Sequence, residues 1–285
     1  MHPLLTDLLE VLRLERLEMD LFRGQSRDPG HHRVFGGQVL GQALAAAYAT
    51  VEDRSVHSLH AYFLRAGDPD HPIVYEVDRS RDGVSFTSRR VVAIQHGEQI
   101  FHLSASFQKM EQGTDRQVSM PEAVAPEALP DLTVAVQTAK EKSPDQPQPF
   151  LLYERPFEFR VVDMPEATKA AANQLALKIW FRARGEVPDD PVLHQTLLAY
   201  ASDYHLLTTA ILDERLTLGP QRLQMASIDH AMWFHRPARV DDWLLYVLDS
   251  PTANGSRGFA RGSIFSRDGR LIASTAQEGL VRRRR

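Results

Sequence analysis

Two kinds of apolar spacing alternate along this chain, and each occurs twice. Residues 36–50, "GGQVLGQALAAAYAT", and 191–212, "PVLHQTLLAYASDYHLLTTAIL", are apolar almost all round, as expected of helices enclosed by protein. Runs that alternate with period two follow each of them: "PIVYEV", "SFTSRRVVAIQ" and "IFHLSASF", then "WLLYVLDS", "GFARGSIFS" and "LIASTAQEGLV". Asp82-Gly83, His96-Gly97, Asn254-Gly255 and Asp268-Gly269 mark tight turns between strands.

The two halves also match each other. His60–Val77 resembles Ala231–Leu248 at an offset of about 171, so that Phe63 falls on Phe234, Arg65 on Arg236 and Tyr75 on Tyr246. Between the halves lies "MPEAVAPEALPDLTVAVQTAKEKSPDQPQPF", rich in proline and charge, which reads as a linker with one short helix at Leu132–Lys142. The expected organisation is residues 1–118, a linker at 119–150, and residues 151–285 as a second unit carrying the chemistry. A buried helix followed by an antiparallel meander, twice over, is an α+β plan. It is that of a double hot-dog, two antiparallel sheets each wrapping one long apolar helix.

Composition removes several function classes. The 285 residues are 43% hydrophobic and 25% charged with a net charge of −4, which gives no general attraction to nucleic acid. No apolar run approaches the roughly 20 residues of a membrane helix. The amphipathic, acid-containing start "MHPLLTDLLEVLRLERLEMDLF" is unlike a signal or transit peptide, so the cytoplasm is the expected compartment. The terminal "VRRRR" reads as a solvated tail. The absence of cysteine excludes thiol nucleophiles, disulfides and thiolate metal sites. G-x-S-x-G, P-loop, G-x-G-x-x-G and H-E-x-x-H motifs are also missing. No carboxylate set at ligand spacing accompanies the histidine pairs in "GHH" and "HSLH", so neither a metal site nor a cofactor is expected.

Three positions stand out against their surroundings. Asp203 interrupts the second apolar helix, one turn from Ala199, Tyr200, Leu206 and Leu207, where an unpaired carboxylate would cost several kcal/mol. The competing reading is an N-cap, with a helix starting at Tyr204. Ser227 opens the strand-like "SIDHAMWFHRP", and alternation would send His230, three residues on, to the opposite face. Gln277 lies in an alternating strand, where a lone glutamine is usually exposed.

Taken together, "FRGQS", "VFGGQVLGQAL", "HSLHAYFLRAGDP", "YASD", "IDHAMWFHRP", "GFARG" and "STAQEGLVR" resemble the acyl-CoA thioesterase II (TesB-type) family from about Leu9 to Arg282. The resemblance implies that Asp203, Ser227 and Gln277 orient a water that attacks a thioester, with no acyl-enzyme. Ser227 keeps the hydroxyl where relatives often carry threonine. The resemblance also places a histidine near the site, His57 matching better than His60, and implies an acyl-CoA substrate and a homo-oligomer, either a dimer or a dimer of dimers. Backbone N–H groups after Gly36-Gly37 are candidate oxyanion donors. Arg33, Arg65 and Arg89 are candidate phosphate contacts. The alternatives are a hot-dog enoyl-CoA hydratase or dehydratase and a non-catalytic acyl-CoA-binding protein. The first is disfavoured because hydratases of the MaoC type carry histidine five residues after their aspartate, and here that residue is Thr208.

Overall fold

Among the described residues the chain forms thirteen strands of one antiparallel sheet, six of them the alternating segments. The computed structural model describes residues 2–28, 30, 32–142, 154–163, 175–211 and 223–283. His31, linker residues 143–150, the start of the second unit at 151–153, Leu212 at the end of the expected helix and the last two arginines lie outside the described residues. The first half contains α1 (Pro3–Leu12), β1 (Glu15–Glu18), β2 (Leu21–Gly24), α2 (Gly36–Tyr48), β3 (Ser55–Phe63), β4 (Ile73–Asp82), β5 (Phe86–Gln95) and β6 (Glu98–Gln108). A short helix α3 (Leu132–Lys142) stands where the linker was expected to form one. Then follow β7 (Phe157–Asp163), β8 (Leu175–Ala183), α4 (Pro191–Ser202), α5 (Leu206–Thr209), β9 (Leu223–Ser227) and β10 (Asp229–Phe234). β11 (Leu244–Asn254), β12 (Arg257–Ser266) and β13 (Leu271–Arg283) complete the described chain.

The strand order is β1-β2-β4-β5-β6-β3-β10-β13-β12-β11-β8-β7, with β9 paired to β13. Read from its middle the order is symmetric: β6, β5 and β4 lie outside β3 as β13, β12 and β11 lie outside β10. This is the internal repeat in three dimensions. The two expected sheets are therefore halves of one. They join where β3 and β10 pair, with Ala61 opposite His230 and Leu59 opposite Met232. The joint satisfies two rows of backbone groups that separate sheets would leave open at their edges.

Each half of the sheet carries its apolar helical segment, and the two segments also pack on each other. α2 packs against β4, β5 and β6 and, on its other side, against α4. The second apolar segment divides in two: the short α5 lies on β8, β11, β12 and β13, and α4 meets the same half through Tyr200 on Phe157 and the Ser202 carbonyl on the Tyr246 hydroxyl. One buried cluster consequently draws on both halves, from Leu5 and Leu40 through Leu103 to Leu197, Tyr246 and Ile272. Residues 120–129 cover the outer face of the second half-sheet. There Met120, Ala123 and Leu129 pack on Trp180, Trp243, Leu245 and Phe265, and Trp180 donates to the Val124 carbonyl at 2.9 Å. Among the described residues no helix is long and apolar enough to cross a membrane.

Candidate active site

The break between α4 and α5 builds the centre of the site. α4 begins conventionally, with the Asp190 side chain accepting the Val192 N–H at 2.9 Å and Pro191 in its first turn. It ends at Asp203, which is its C-cap (φ −77°, ψ −14°), and His205 then takes a left-handed conformation (φ 66°) before α5. Asp203 is thus neither mid-helix nor an N-cap. The turn occurs without glycine or proline, the breakers that a sequence reading relies on.

α2 and α4 run antiparallel at very short range. A Cβ on Gly37 would lie 2.3 Å from the Tyr200 carbonyl oxygen, and one on Gly36 would lie 2.7 Å from Asp203 Oδ2. Glycine is required at both positions so that the start of α2 can meet the carboxylate. The Gly37 N–H donates to Asp203, and the positive end of the helix dipole lies beside it. Gly37 is therefore at the site, but its N–H is committed to the aspartate rather than open to a substrate oxyanion.

From the sheet side, β13 brings in Gln277, which is 0% exposed, so the usual exposure of a strand glutamine does not hold here. Its amide nitrogen donates to Asp203 Oδ1 at 2.9 Å and to Ser227 Oγ at 2.9 Å, which uses both of its hydrogens. The structure thus joins Asp203, Gln277 and Ser227, residues from an interhelical turn and two neighbouring strands, through one amide group. The Asp203 side chain is only 6% exposed. Burial raises its pKa, while the Gln277 amide and the Gly37 N–H oppose the rise by favouring the ionised form.

His230 joins this group, contrary to the expectation that it faces away from Ser227. β9 pairs Ser227 with Gly279, while β10 pairs Ala231 with Ala276. One extra residue thus lies on the β9–β10 side, a bulge at Ile228–Asp229. The Ile228 N–H bonds the Glu278 carbonyl at 3.0 Å, and the Asp229 carboxylate accepts the Glu278 N–H at 2.7 Å. The bulge turns Ser227 to the same side as His230, whose Nδ1 lies 3.9 Å from Asp203 Oδ1. Burial lowers the His230 pKa to about 3, so the two groups are not an ion pair.

His57 sits apart. Its Nε2 meets Ser106 Oγ at 2.8 Å and its ring packs edge-on against Phe86. Along β3 it is four residues from Ala61, the partner of His230, or about 13 Å at strand rise. His60 is exposed and packs on Trp233. Arg89 is not a phosphate ligand either. It is 2% exposed and its guanidinium is consumed by Thr50, Arg81, Ser88 and Asp82, the last at 2.7 Å. Arg65 pairs with Glu98 at 2.6 Å, and Arg33 is exposed.

Among the described residues one group has metal-ligand character: Asp68, His71 and His96. Both imidazoles are within hydrogen-bond reach of Asp68 Oδ2, at 2.8 and 3.0 Å. These mutual bonds account for the group without an ion. A cavity of about 140 Å³ lies beside the site, lined by Phe35, Gln38, Arg155, Tyr200 and Tyr204 among others.

The comparisons with known proteins agree with this architecture. The family described as "Acyl-CoA thioesterase" matches residues 153–280, and the "Acyl-CoA thioesterase N-terminal domain" matches residues 25–108. The chain is 43% identical to Acyl-CoA thioesterase 2 of Haemophilus influenzae over 99% of both chains. It resembles the crystal structure of an acyl-CoA thioesterase II, TesB2, from Mycobacterium marinum, with a TM-score of 0.79, 42% identity, and coverage of 97% of this chain and 98% of that one. A hot-dog protein from Alicyclobacillus acidocaldarius shares the fold at a TM-score of 0.76 and 18% identity, with coverage of 97% of this chain and 98% of that one. With near-complete coverage at this identity, and with both halves matched by the family's own models, this double hot-dog chain belongs to the acyl-CoA thioesterase II family of thioester hydrolases.

Proposed function

We propose that this chain hydrolyses fatty acyl-CoA thioesters to fatty acid and CoA with a water held by Asp203, Ser227 and Gln277. The observation that carries this reading is the Gln277 amide, which bridges a buried carboxylate and a hydroxyl at 2.9 Å each. Asp203 takes a proton from water, and the water oxygen bonds to the thioester carbonyl carbon. The resulting oxyanion collapses and breaks the C–S bond. The proton held by Asp203 passes to the departing sulfur, and the new carboxylic acid ionises in solvent. A desolvated carboxylate with a raised pKa suits a base of this kind, because its pKa moves toward the working pH. Two donors keep it ionised in the resting state.

The direct test is incubation with palmitoyl-CoA and, separately, with crotonyl-CoA, following free thiol and enoyl absorbance. Thiol release from palmitoyl-CoA is expected. Loss of enoyl absorbance without thiol release would replace the reading with a hydratase, and neither signal would leave only acyl-CoA binding. The proposal extends to a homodimer acting in the cytoplasm, and light scattering of the purified chain reads the assembly.

Ser227 accepts a hydrogen bond from Gln277, which leaves its own hydrogen for a water. It has no histidine partner within hydrogen-bond reach among the described residues: the Nε2 of His230 meets Ser202 at 3.0 Å, and its Nδ1 bonds no side chain. Ser227 therefore positions water and is not a nucleophile. Ser227→Thr is expected to remain active, whereas Ser227→Ala loses about tenfold or more, the scale of one hydrogen bond at an active site. Intact-mass measurement during turnover is expected to show no acylated protein. An adduct on Ser227 would convert the mechanism to covalent catalysis.

A further inference from the structure

His230 is the one fully buried histidine at the site, at 0% exposure, and the hydrolysis described above does not use it. Its hydrogen bonds assign its tautomer. We assign the single Ser202 hydroxyl hydrogen to the Ala199 carbonyl at 2.8 Å, the shorter of its two contacts, and with that assignment the 3.0 Å contact between Ser202 Oγ and His230 Nε2 uses a hydrogen on Nε2. Nδ1 is then a bare lone pair. It is buried, has no hydrogen-bond partner among the described residues, and lies 3.9 Å from Asp203 Oδ1. Such an orphaned acceptor normally costs stability.

Its position gives it a use. A neutral acceptor facing an ionised carboxylate gains nothing. The same acceptor facing a protonated carboxyl gains a hydrogen bond once the two atoms close by about 1 Å, to ordinary bonding distance. We propose that His230 is a positioning residue that accepts a hydrogen bond from protonated Asp203, the state formed when Asp203 takes the proton of the attacking water. It thereby strengthens Asp203 as a base and holds the proton until the thiolate leaves. Ser202, at the last turn of α4, sets the tautomer that makes this possible. This inference rests on Asp203 acting as the base.

The surrounding groups leave the titration to this pair. Tyr200, Tyr204 and Tyr246 each interact electrostatically with Asp203, and burial holds each above its ordinary value and therefore neutral. Arg155 stacks on the Tyr204 ring at 4.7 Å. Asp229 and Glu278 are the nearest further carboxylates in sequence. Asp229 accepts the Glu278 N–H, and Glu278 pairs with Arg257 at 2.9 Å.

Two substitutions separate this role from simple packing. A glutamine amide reaches the Nε2 position of histidine, whereas an asparagine amide occupies that of Nδ1. His230→Gln keeps the Ser202 contact and removes the acceptor at Asp203. Its kcat is expected to fall about tenfold with KM little changed, and the acid limb of its pH–rate profile to move to lower pH, since protonated Asp203 loses its acceptor. His230→Asn is expected to retain more of kcat and an acid limb nearer to wild type, although its Tm is lower. A merely structural histidine would reverse that order, and an unshifted limb in His230→Gln, or one moved to higher pH, overturns the proposal. A measurement without substitution is the ¹⁵N chemical shift of the His230 ring at neutral pH, where a protonated Nδ1 also overturns it. Asp203→Asn, assayed beside them, distinguishes the two levels. If it is inactive while His230→Gln keeps the wild-type limb, only this proposal falls; if it is active, the water mechanism falls first.

Discussion

Asp203→Asn is expected to lose most turnover of a long-chain acyl-CoA, by about 10²-fold or more, the usual scale for removing a general base. Asparagine keeps the volume and an oxygen to accept the Gln277 amide, so the fold survives and the loss is chemical. A variant with near-normal turnover would remove Asp203 from the mechanism. The same substitution has a thermodynamic signature. Burial raises the Asp203 pKa above its unfolded value, so its favourable contribution to stability is fully present below the unfolded pKa and is lost as pH rises through the folded one. At neutral pH the wild type therefore carries the cost of a buried charge that asparagine avoids. The Tm of Asp203→Asn is expected to exceed that of the wild type at neutral pH, with the gap closing toward acid pH. In the wild type, kcat/KM is expected to fall on acidification at a pH above the usual aspartate value of about 3.9, because the base must be ionised.

Gln277→Ala is expected to cost roughly 3 kcal/mol of transition-state stabilisation, comparable to deleting an oxyanion-hole donor and equal to about 10²-fold in kcat. Two effects add. Asp203 loses a charge-assisted hydrogen bond, and Ser227 loses the contact that orients its hydroxyl toward water. With one donor fewer favouring the ionised carboxyl, the acid limb is expected to move to higher pH, opposite in direction to His230→Gln. Kinetics from pH 4 to 9 would show both the loss and the shift. A Gln277→Ala enzyme within threefold of wild type would mean that the bridging amide holds structure and not water.

Much of the fold is legible in the sequence because its signals are local. The period-two runs become β4, β5, β6, β11, β12 and β13, and their glycine turns fall between them. The helix expected at Leu132–Lys142 forms over those residues. The repeat offset returns as the symmetry of the strand order. The residues of the candidate site were legible by motif, and Asp203, Ser227 and Gln277 do converge. His57 does not join them, and the Arg89 side chain is wholly engaged inside the fold.

What the sequence could not carry depends on long-range pairing. Nothing local says that β3 and β10 join edge to edge, since each strand alternates in the same way whether paired or free. The end of α4 at Ser202 follows from a left-handed His205, a conformation that no breaker residue announces. Strict alternation misplaces the facing of His230 because it assumes an unbroken strand. A single extra residue at Ile228–Asp229 reverses it, and that residue is extra only relative to β13, some 50 positions away. Local periodicity thus determined most of the strands and helices, and the motif resemblance singled out the candidate residues. The tertiary structure alone decided which of them face Asp203, because facing is set by register between strands distant in sequence.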